Sequence, residues 1–161
     1  MKMNFERLLS ENKIEKLLKK QEINLDLSKK DISTAKDNLN SNHSWAFVIA
    51  YEAVLRAGNK LMNFLGYRAI GKEHHKNMFE FLKETKINQE LIDYFDNIRK
   101  KRNDFIYRDI EKVSEDEAKE IINKAEEFVQ EIRTFVQEIR TDENETFSKG
   151  NDKIKLKGDG K

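Results

Sequence analysis

A short basic stretch, residues 98–109, carries the side chains of this sequence that are best suited to chemistry. It reads IRKKRNDFIYRD, and on a helix Arg99, Asn103 and Tyr107 line one side because they follow one another at intervals of four residues. Arginine makes bidentate contacts with phosphate, an asparagine amide reads polar edges, and tyrosine can stack on a base. The combination predicts a surface that binds phosphate or an RNA backbone.

Arg102 lies in the same predicted helix, at a position where packing favours an apolar side chain. The predicted buried stripe is Leu91, Phe95, Ile98 and Phe105, and Arg102 falls where its spacing of four and three calls for the next apolar residue. Burial of an unpaired guanidinium is costly, so Arg102 needs a partner, a cleft or a subunit interface. From helix geometry alone, an arginine that snorkels at the edge of the core is an equally good interpretation.

The composition favours a small, cytoplasmic, all-α protein. The 161 residues suit one domain, and 38% charged with 37% hydrophobic residues suits amphipathic helices. Proline is absent and glycine occurs six times, which argues against a sandwich or barrel. The absence of cysteine excludes disulfides, thiolate metal sites and a cysteine nucleophile. The longest apolar run, 45–51, is too short to span a membrane, and the first residues lack the apolar core of a signal peptide.

Hydrophobic periodicity predicts an antiparallel helical bundle of about five to six helices. The six predicted helices cover about residues 5–20, 27–40, 45–65, 72–84, 89–109 and 115–141. Ser44, Asn88 and Ser114 are the predicted N-caps of the third, fifth and sixth helices, and Gly66 is predicted to end the third. The third helix is apolar nearly all round between Trp45 and Leu55, so we expect it at the centre of the bundle. Residues 66–71 are predicted to form a loop.

The sixth predicted helix contains a direct repeat. The heptad FVQEIRT occupies residues 128–134 and again residues 135–141. Two heptads are too few to predict a coiled coil, so a helix lengthened by one repeat is favoured over an oligomerisation seam. The following residues are polar and charged. We therefore predict one folded domain over residues 1–141 and a disordered charged tail over residues 142–161.

The sequence predicts neither a metal site nor a cofactor. His74 and His75 are adjacent, so on a helix they point about 100° apart and cannot chelate one ion together. The chain also lacks an HExxH motif, a GxGxxG motif and a phosphate-binding P-loop.

Three segments make the chain resemble the HEPN domain family from about residue 25 to residue 130. They are WAFVIAYEAVLRAGNKLMNFLGYR from Trp45, GYRAIGKEHHK from Gly66 and RKKRNDFIY from Arg99. HEPN domains are helical and are often paired with small nucleotidyltransferases in prokaryotic toxin–antitoxin systems. The resemblance therefore implies a homodimer, an RNA or nucleotide ligand and a nucleotidyltransferase antitoxin as partner.

Active HEPN domains cleave RNA without a metal ion, using an arginine, a polar residue and a histidine four to six positions after the arginine. These positions correspond to Arg102, Asn103 and Tyr107, while Arg99 would add affinity for the RNA backbone. Tyrosine at the histidine position is a departure, because its ordinary pKa of about 10 makes it a poor general base near neutral pH. The resemblance thus implies an RNA-binding ribonuclease or, as the alternative, a non-catalytic module that binds a nucleotidyltransferase or its substrate. A purely structural interaction protein is the third reading.

Overall fold

The computed structural model describes residues 3–108 and 113–158, with side-chain placement for residues 3–101 and 113–150. This part of the chain forms six α-helices and one two-stranded sheet, which confirms the predicted all-α fold. The helices are α1 (Glu6–Ser10), α2 (Asp26–Asn38), α3 (His43–Leu65), α4 (His74–Lys83), α5 (Gln89–Arg108) and α6 (Glu115–Gly158). The strands are β1 (Ile14–Lys16) and β2 (Tyr67–Ala69). In the described residues no helix is long and apolar enough to cross a membrane.

Helix α3 is the central element, as its apolar sequence predicts, and α2, α4 and α6 all pack against it. Its N-cap is Asn42 instead of the predicted Ser44, because the Asn42 side chain accepts a hydrogen bond from the Trp45 amide at 3.0 Å. Its end is as predicted, since Gly66 adopts a left-handed conformation with φ of 95°. Trp45, at the start of this apolar stretch, is 51% exposed and lies outside the core.

A close approach between α3 and α4 depends on Gly58. A Cβ atom at this position would lie 2.7 Å from the Met78 sulfur, closer than such atoms pack. The absence of a side chain at Gly58 therefore allows α4 to lie against the central helix, and α4 in turn supports the start of α5.

The predicted first helix over residues 5–20 is wrong. Helix α1 ends at Ser10, and β1 then pairs antiparallel with β2, with Ile14 opposite Ala69. The pairing joins segments more than 50 residues apart, so helical spacing of the leucines could not reveal it. It also places β2 inside the predicted loop 66–71. This N-terminal arm is part of the core, because the Phe5 ring stacks on the Phe81 ring with centroids 4.0 Å apart.

Helix α6 incorporates both copies of FVQEIRT. Phe128, Ile132 and Phe135 are buried in the core, as expected for a helix lengthened by one repeat. The helix continues to Gly158 instead of ending near residue 141, and every residue from 141 to 150 is exposed. The division into a domain over 1–141 and a disordered tail over 142–161 stays a prediction.

Candidate functional site

The first half of α5 anchors the helix that carries the basic stretch. Asn88 caps it as predicted, since its side-chain oxygen accepts a hydrogen bond from the Glu90 amide at 2.8 Å. The rings of Phe95 and Phe128 meet edge to face at 5.7 Å, which fixes α5 against α6. The buried side differs from the predicted stripe, because Ile92 and Asp96 are buried where Ile98 is only partly so.

Asp96 is the unexpected member of this buried side. It is only 7% exposed, and its carboxylate is surrounded by cations from two helices. Its Oδ1 accepts a hydrogen bond from Nε of Arg99 at 2.8 Å, and its Oδ2 lies 3.4 Å from Nζ of Lys83 on α4. Nζ of Lys100, one turn along α5, is 4.0 Å from Oδ2. The buried charge is thus compensated, as burial of a carboxylate requires.

The charge state of Asp96 follows from two opposing effects. Burial alone would raise the pKa of this carboxyl group, but the Arg99 hydrogen bond and the charges of Arg99 and Lys83 lower it by more. The pKa therefore lies below its ordinary value, and Asp96 is ionised at neutral pH. A fixed anion at this point holds the guanidinium of Arg99 in place.

Arg99 is the one predicted site residue whose side chain the structure describes. That side chain is 18% exposed and bound to Asp96, so it is neither freely solvated nor unpaired. Arg102, Asn103 and Tyr107 lie in the backbone of α5, which runs to Arg108, but their side chains fall outside the described residues. Their roles therefore stay predictions.

The sequence contained a usable signal for Asp96. An acidic residue three positions before Arg99 and four before Lys100 is the spacing at which opposite charges meet on a helix. The interpretation of α5 as a simple apolar stripe overlooked this signal. Lys83 carried no such signal, because it reaches Asp96 from a different helix.

Tyr94 lies on the opposite flank of α5 from Asp96 and faces α6. Burial raises the pKa of this phenol, and the carboxylates of Glu120 and Glu117 raise it further. Tyr94 is therefore protonated at neutral pH and contributes no charge to the surface.

The histidines make no metal centre in the described structure. The rings of His74 and His75 lie 4.1 Å apart, and Nδ1 of His74 is 3.2 Å from the carbonyl oxygen of Gly71. Within residues 3–101 and 113–150, no group of three or more His, Cys, Asp or Glu side chains could hold a metal ion.

Comparison with known proteins identifies the fold. The family model described as the HEPN domain matches residues 21–135, a range that contains α2 to α5 and α6 as far as Phe135. Comparisons with curated proteins and with solved structures gave no match. The matched range agrees with the resemblance over residues 25–130 and covers most of the chain. This chain belongs to the HEPN domain family.

Proposed function

We propose that this protein is an RNA-binding HEPN domain of a toxin–antitoxin pair and that the second half of α5 is its RNA-binding surface. Membership of the HEPN family implies a nucleotide- or RNA-related function in general. The observation that carries the specific proposal is the buried pair of Asp96 and Arg99, at the point where the basic stretch begins. Such a pair orients a cation before any ligand arrives, which lowers the entropic cost of binding.

Each member of the surface has a proposed role. Arg102 neutralises charge on a phosphate, as guanidinium groups do through bidentate contacts. Asn103 orients the RNA through its amide, and Tyr107 contacts or positions a base. Arg99 adds affinity for the backbone. These roles use no metal ion and no cofactor.

Metal-free cleavage of RNA places two further demands on the surface. The 2′-hydroxyl must lose a proton as it attacks the adjacent phosphorus, and the departing 5′-oxygen must gain one. We propose that Arg102 stabilises the negative charge that develops on the phosphate oxygens and that the phenol of Tyr107 donates its proton to the departing 5′-oxygen. Solvent water accepts the proton of the 2′-hydroxyl and afterwards returns one to the Tyr107 oxygen. None of the four side chains that are given a role here serves as a general base in this step.

The lack of a base favours a second candidate function. In it the protein is a non-catalytic HEPN module that binds a nucleotidyltransferase partner, or the nucleotide or RNA substrate of that partner, through the same surface. The observation that favours it is tyrosine at position 107, where active family members have histidine. In both cases we propose a cytoplasmic homodimer, because a shared interface would give Arg102 the compensating environment that it needs.

A cleavage assay in EDTA separates the two functions. Purified wild-type protein is incubated with several RNAs beside Arg102→Ala and Tyr107→Phe, with Arg7→Ala as a control for loss of an exposed arginine. A metal-free ribonuclease cleaves in EDTA and loses activity on Arg102→Ala but not on Arg7→Ala. Binding without cleavage by folded protein supports the module. Neither binding nor cleavage by the wild type would overturn the RNA proposal.

A further inference from the structure

A groove runs along α6 on the side that faces α2, away from α5. One end is a cavity of about 240 Å³ lined by Lys29, Val129 and Arg133. It continues into a cavity of about 480 Å³ where Lys29 and Arg133 recur beside Val136 and Arg140. Lys29 and Arg133 border both cavities, so the two lie side by side along α6 and are together called the groove. Among the described residues that line it, none belongs to α5, and the ring by which α6 contacts Phe95 of α5, Phe128, is not among them.

The lining of this groove repeats itself because the sequence does. Each FVQEIRT copy contributes its valine, glutamine and arginine, which are Val129, Gln130 and Arg133, then Val136, Gln137 and Arg140. Seven residues advance a helix by about 10 Å in nearly two full turns, so the second trio falls on the same face. The phenylalanine and isoleucine of each copy stay in the core or at its edge. The duplication therefore lengthens the core and the groove together.

The cations of the groove differ from Arg99, because the structure describes no acidic side chain paired with them. Among the described residues, no carboxylate lies within 4.0 Å of the charged nitrogens of Lys29, Arg133 or Arg140, and all three residues are exposed. The guanidinium of Arg140 lies over the Phe64 ring, 5.6 Å from its centroid. Such groups keep their bonding capacity for a ligand.

We propose that this groove binds a single-stranded segment of RNA, as a second contact surface in addition to α5. The ligand must be elongated, must offer acceptors at regular intervals to the arginines and glutamines, and must cover an apolar floor. A single strand meets these needs with its phosphates, base edges and base faces. This inference rests on the proposed RNA-binding function, and it gives the duplicated heptad a role.

Acidic residues across the groove from α6 make it possible to distinguish RNA from a basic partner. Glu22 and Asp26 line the larger cavity and repel phosphate, whereas Glu126 of the smaller cavity is already paired with Lys36. Neutralising Glu22 and Asp26 should therefore tighten RNA binding. A basic peptide in the same groove would respond in the opposite way.

Fluorescence anisotropy with a labelled RNA of about 12 nucleotides tests this inference on the full chain. The RNA carries 2′-O-methyl riboses, so cleavage cannot interfere. We expect Arg133→Gln/Arg140→Gln to weaken binding about tenfold and to reduce the slope of log affinity against log salt by about 1.4. Glu22→Gln/Asp26→Asn should strengthen binding about threefold by removing repulsion.

Two further variants complete the design. Lys72→Gln/Lys86→Gln removes the same charge from exposed positions elsewhere, and binding should stay within about twofold of wild type. Arg99→Gln/Arg102→Gln tests the α5 surface.

The outcomes separate the inference from the proposed function. Unchanged binding in the arginine groove variant, together with loss in Arg99→Gln/Arg102→Gln, would overturn the groove and leave the proposed function standing. Weaker binding after neutralisation of Glu22 and Asp26 would also overturn the groove as an RNA site and indicate a basic partner. Wild-type protein that binds no RNA would overturn both. Thermal melting of each variant confirms that it is folded.

Discussion

Arginine side chains on the two flanks of α6, toward α5 and toward α2, have different surroundings. On the α5 side, Arg99 is 18% exposed and is held at Nε by the buried carboxylate of Asp96. On the α2 side, Arg133 and Arg140 are exposed, and no carboxylate in the described chain lies within 4.0 Å of their charged nitrogens. All three arginines lie on helices, but only Arg99 is fixed by a carboxylate, so the acidic partner and not the helix holds its guanidinium in place. Arg99 is therefore held by the protein itself, whereas the role proposed for the groove arginines is to bind the phosphates of RNA.

The two sides also differ in their relation to the family. All of α5 lies inside the range that matches the HEPN domain, but that range ends at Phe135, the first residue of the second heptad copy. Val136 and Arg140 therefore extend the groove beyond the matched domain. The N-terminal arm that packs Phe5 on Phe81 also lies outside the match. The α5 surface thus lies wholly within the matched range, whereas the groove lies partly within it and partly beyond it.

The largest loss of stability is expected at the contact between α5 and α6. Phe95→Ala removes a fully buried ring that packs on Phe128, so the free energy of unfolding should fall by about 3–5 kcal/mol. Phe147→Ala is the control, because that ring is 71% exposed and its loss should change stability by less than about 0.5 kcal/mol. Urea unfolding measures both. A loss below about 1 kcal/mol for Phe95→Ala would mean that α5 is not anchored in this way.

A smaller loss of stability is expected when Asp96, the acidic partner of Arg99, is neutralised. Asp96→Asn leaves Arg99 without the carboxylate that it is bonded to and leaves Lys83 with Asp93, 3.9 Å away, so the free energy of unfolding should fall by about 1–3 kcal/mol. The comparable change on the groove side, Glu22→Gln, removes an exposed charge and should be nearly neutral. Equal changes in the free energy of unfolding for Asp96→Asn and Glu22→Gln would contradict the stabilising role assigned to Asp96.

The pH dependence of Asp96→Asn sharpens the same test. Because the pKa of Asp96 is lowered in the folded state, its stabilising contribution is fully present above the unfolded value of about 3.9. That contribution is lost as the pH falls through the lower folded pKa. The stability gap between wild type and Asp96→Asn should therefore narrow below about pH 4. A gap that is constant down to about pH 2 would show that the charge of Asp96 is not its cause.

The smallest effect is expected beyond the second heptad copy. A chain that stops after Thr141 loses only residues beyond the predicted domain, and those from 142 to 150 are exposed, so the unfolding free energy should change by less than about 0.5 kcal/mol. Backbone amides over 142–150 should exchange with deuterium quickly, because these residues are exposed and a helix without tertiary packing is marginal in water. Slow exchange there, or a large loss on truncation, would contradict the domain division at residue 141.

Local signals in the sequence predicted much of this fold. The apolar face of α3, the Asn88 cap and the left-handed Gly66 follow from residue types and spacing within a few positions. The pairing of β1 with β2 could not be predicted in this way, because it depends on contacts between residues distant in sequence. Leu8 and Ile14 belong to the predicted first helix and both are buried, yet only Leu8 lies in a helix and Ile14 begins β1.

In the candidate site too, features that depend on nearby residues could be predicted and features that depend on distant residues could not. Arg99 and its neighbours were predicted from their spacing and from the family motif, and Asp96 was open to prediction from its place one turn before Arg99. Lys83 was not, because only the packing of α4 on α5 brings it to the carboxylate. The groove was equally hidden, since the repeat showed where Arg133 and Arg140 lie on α6 but not what lies opposite them.

Photochemical crosslinking tests the central claim most directly, namely that the second half of α5 binds RNA. The full chain is irradiated with RNA that contains 4-thiouridine, and the crosslinked peptides are identified by mass spectrometry, with Arg99→Gln/Arg102→Gln as the control. We expect crosslinks within residues 99–108 that disappear in the variant. Crosslinks confined to other parts of the chain, and unchanged by the variant, would contradict the account.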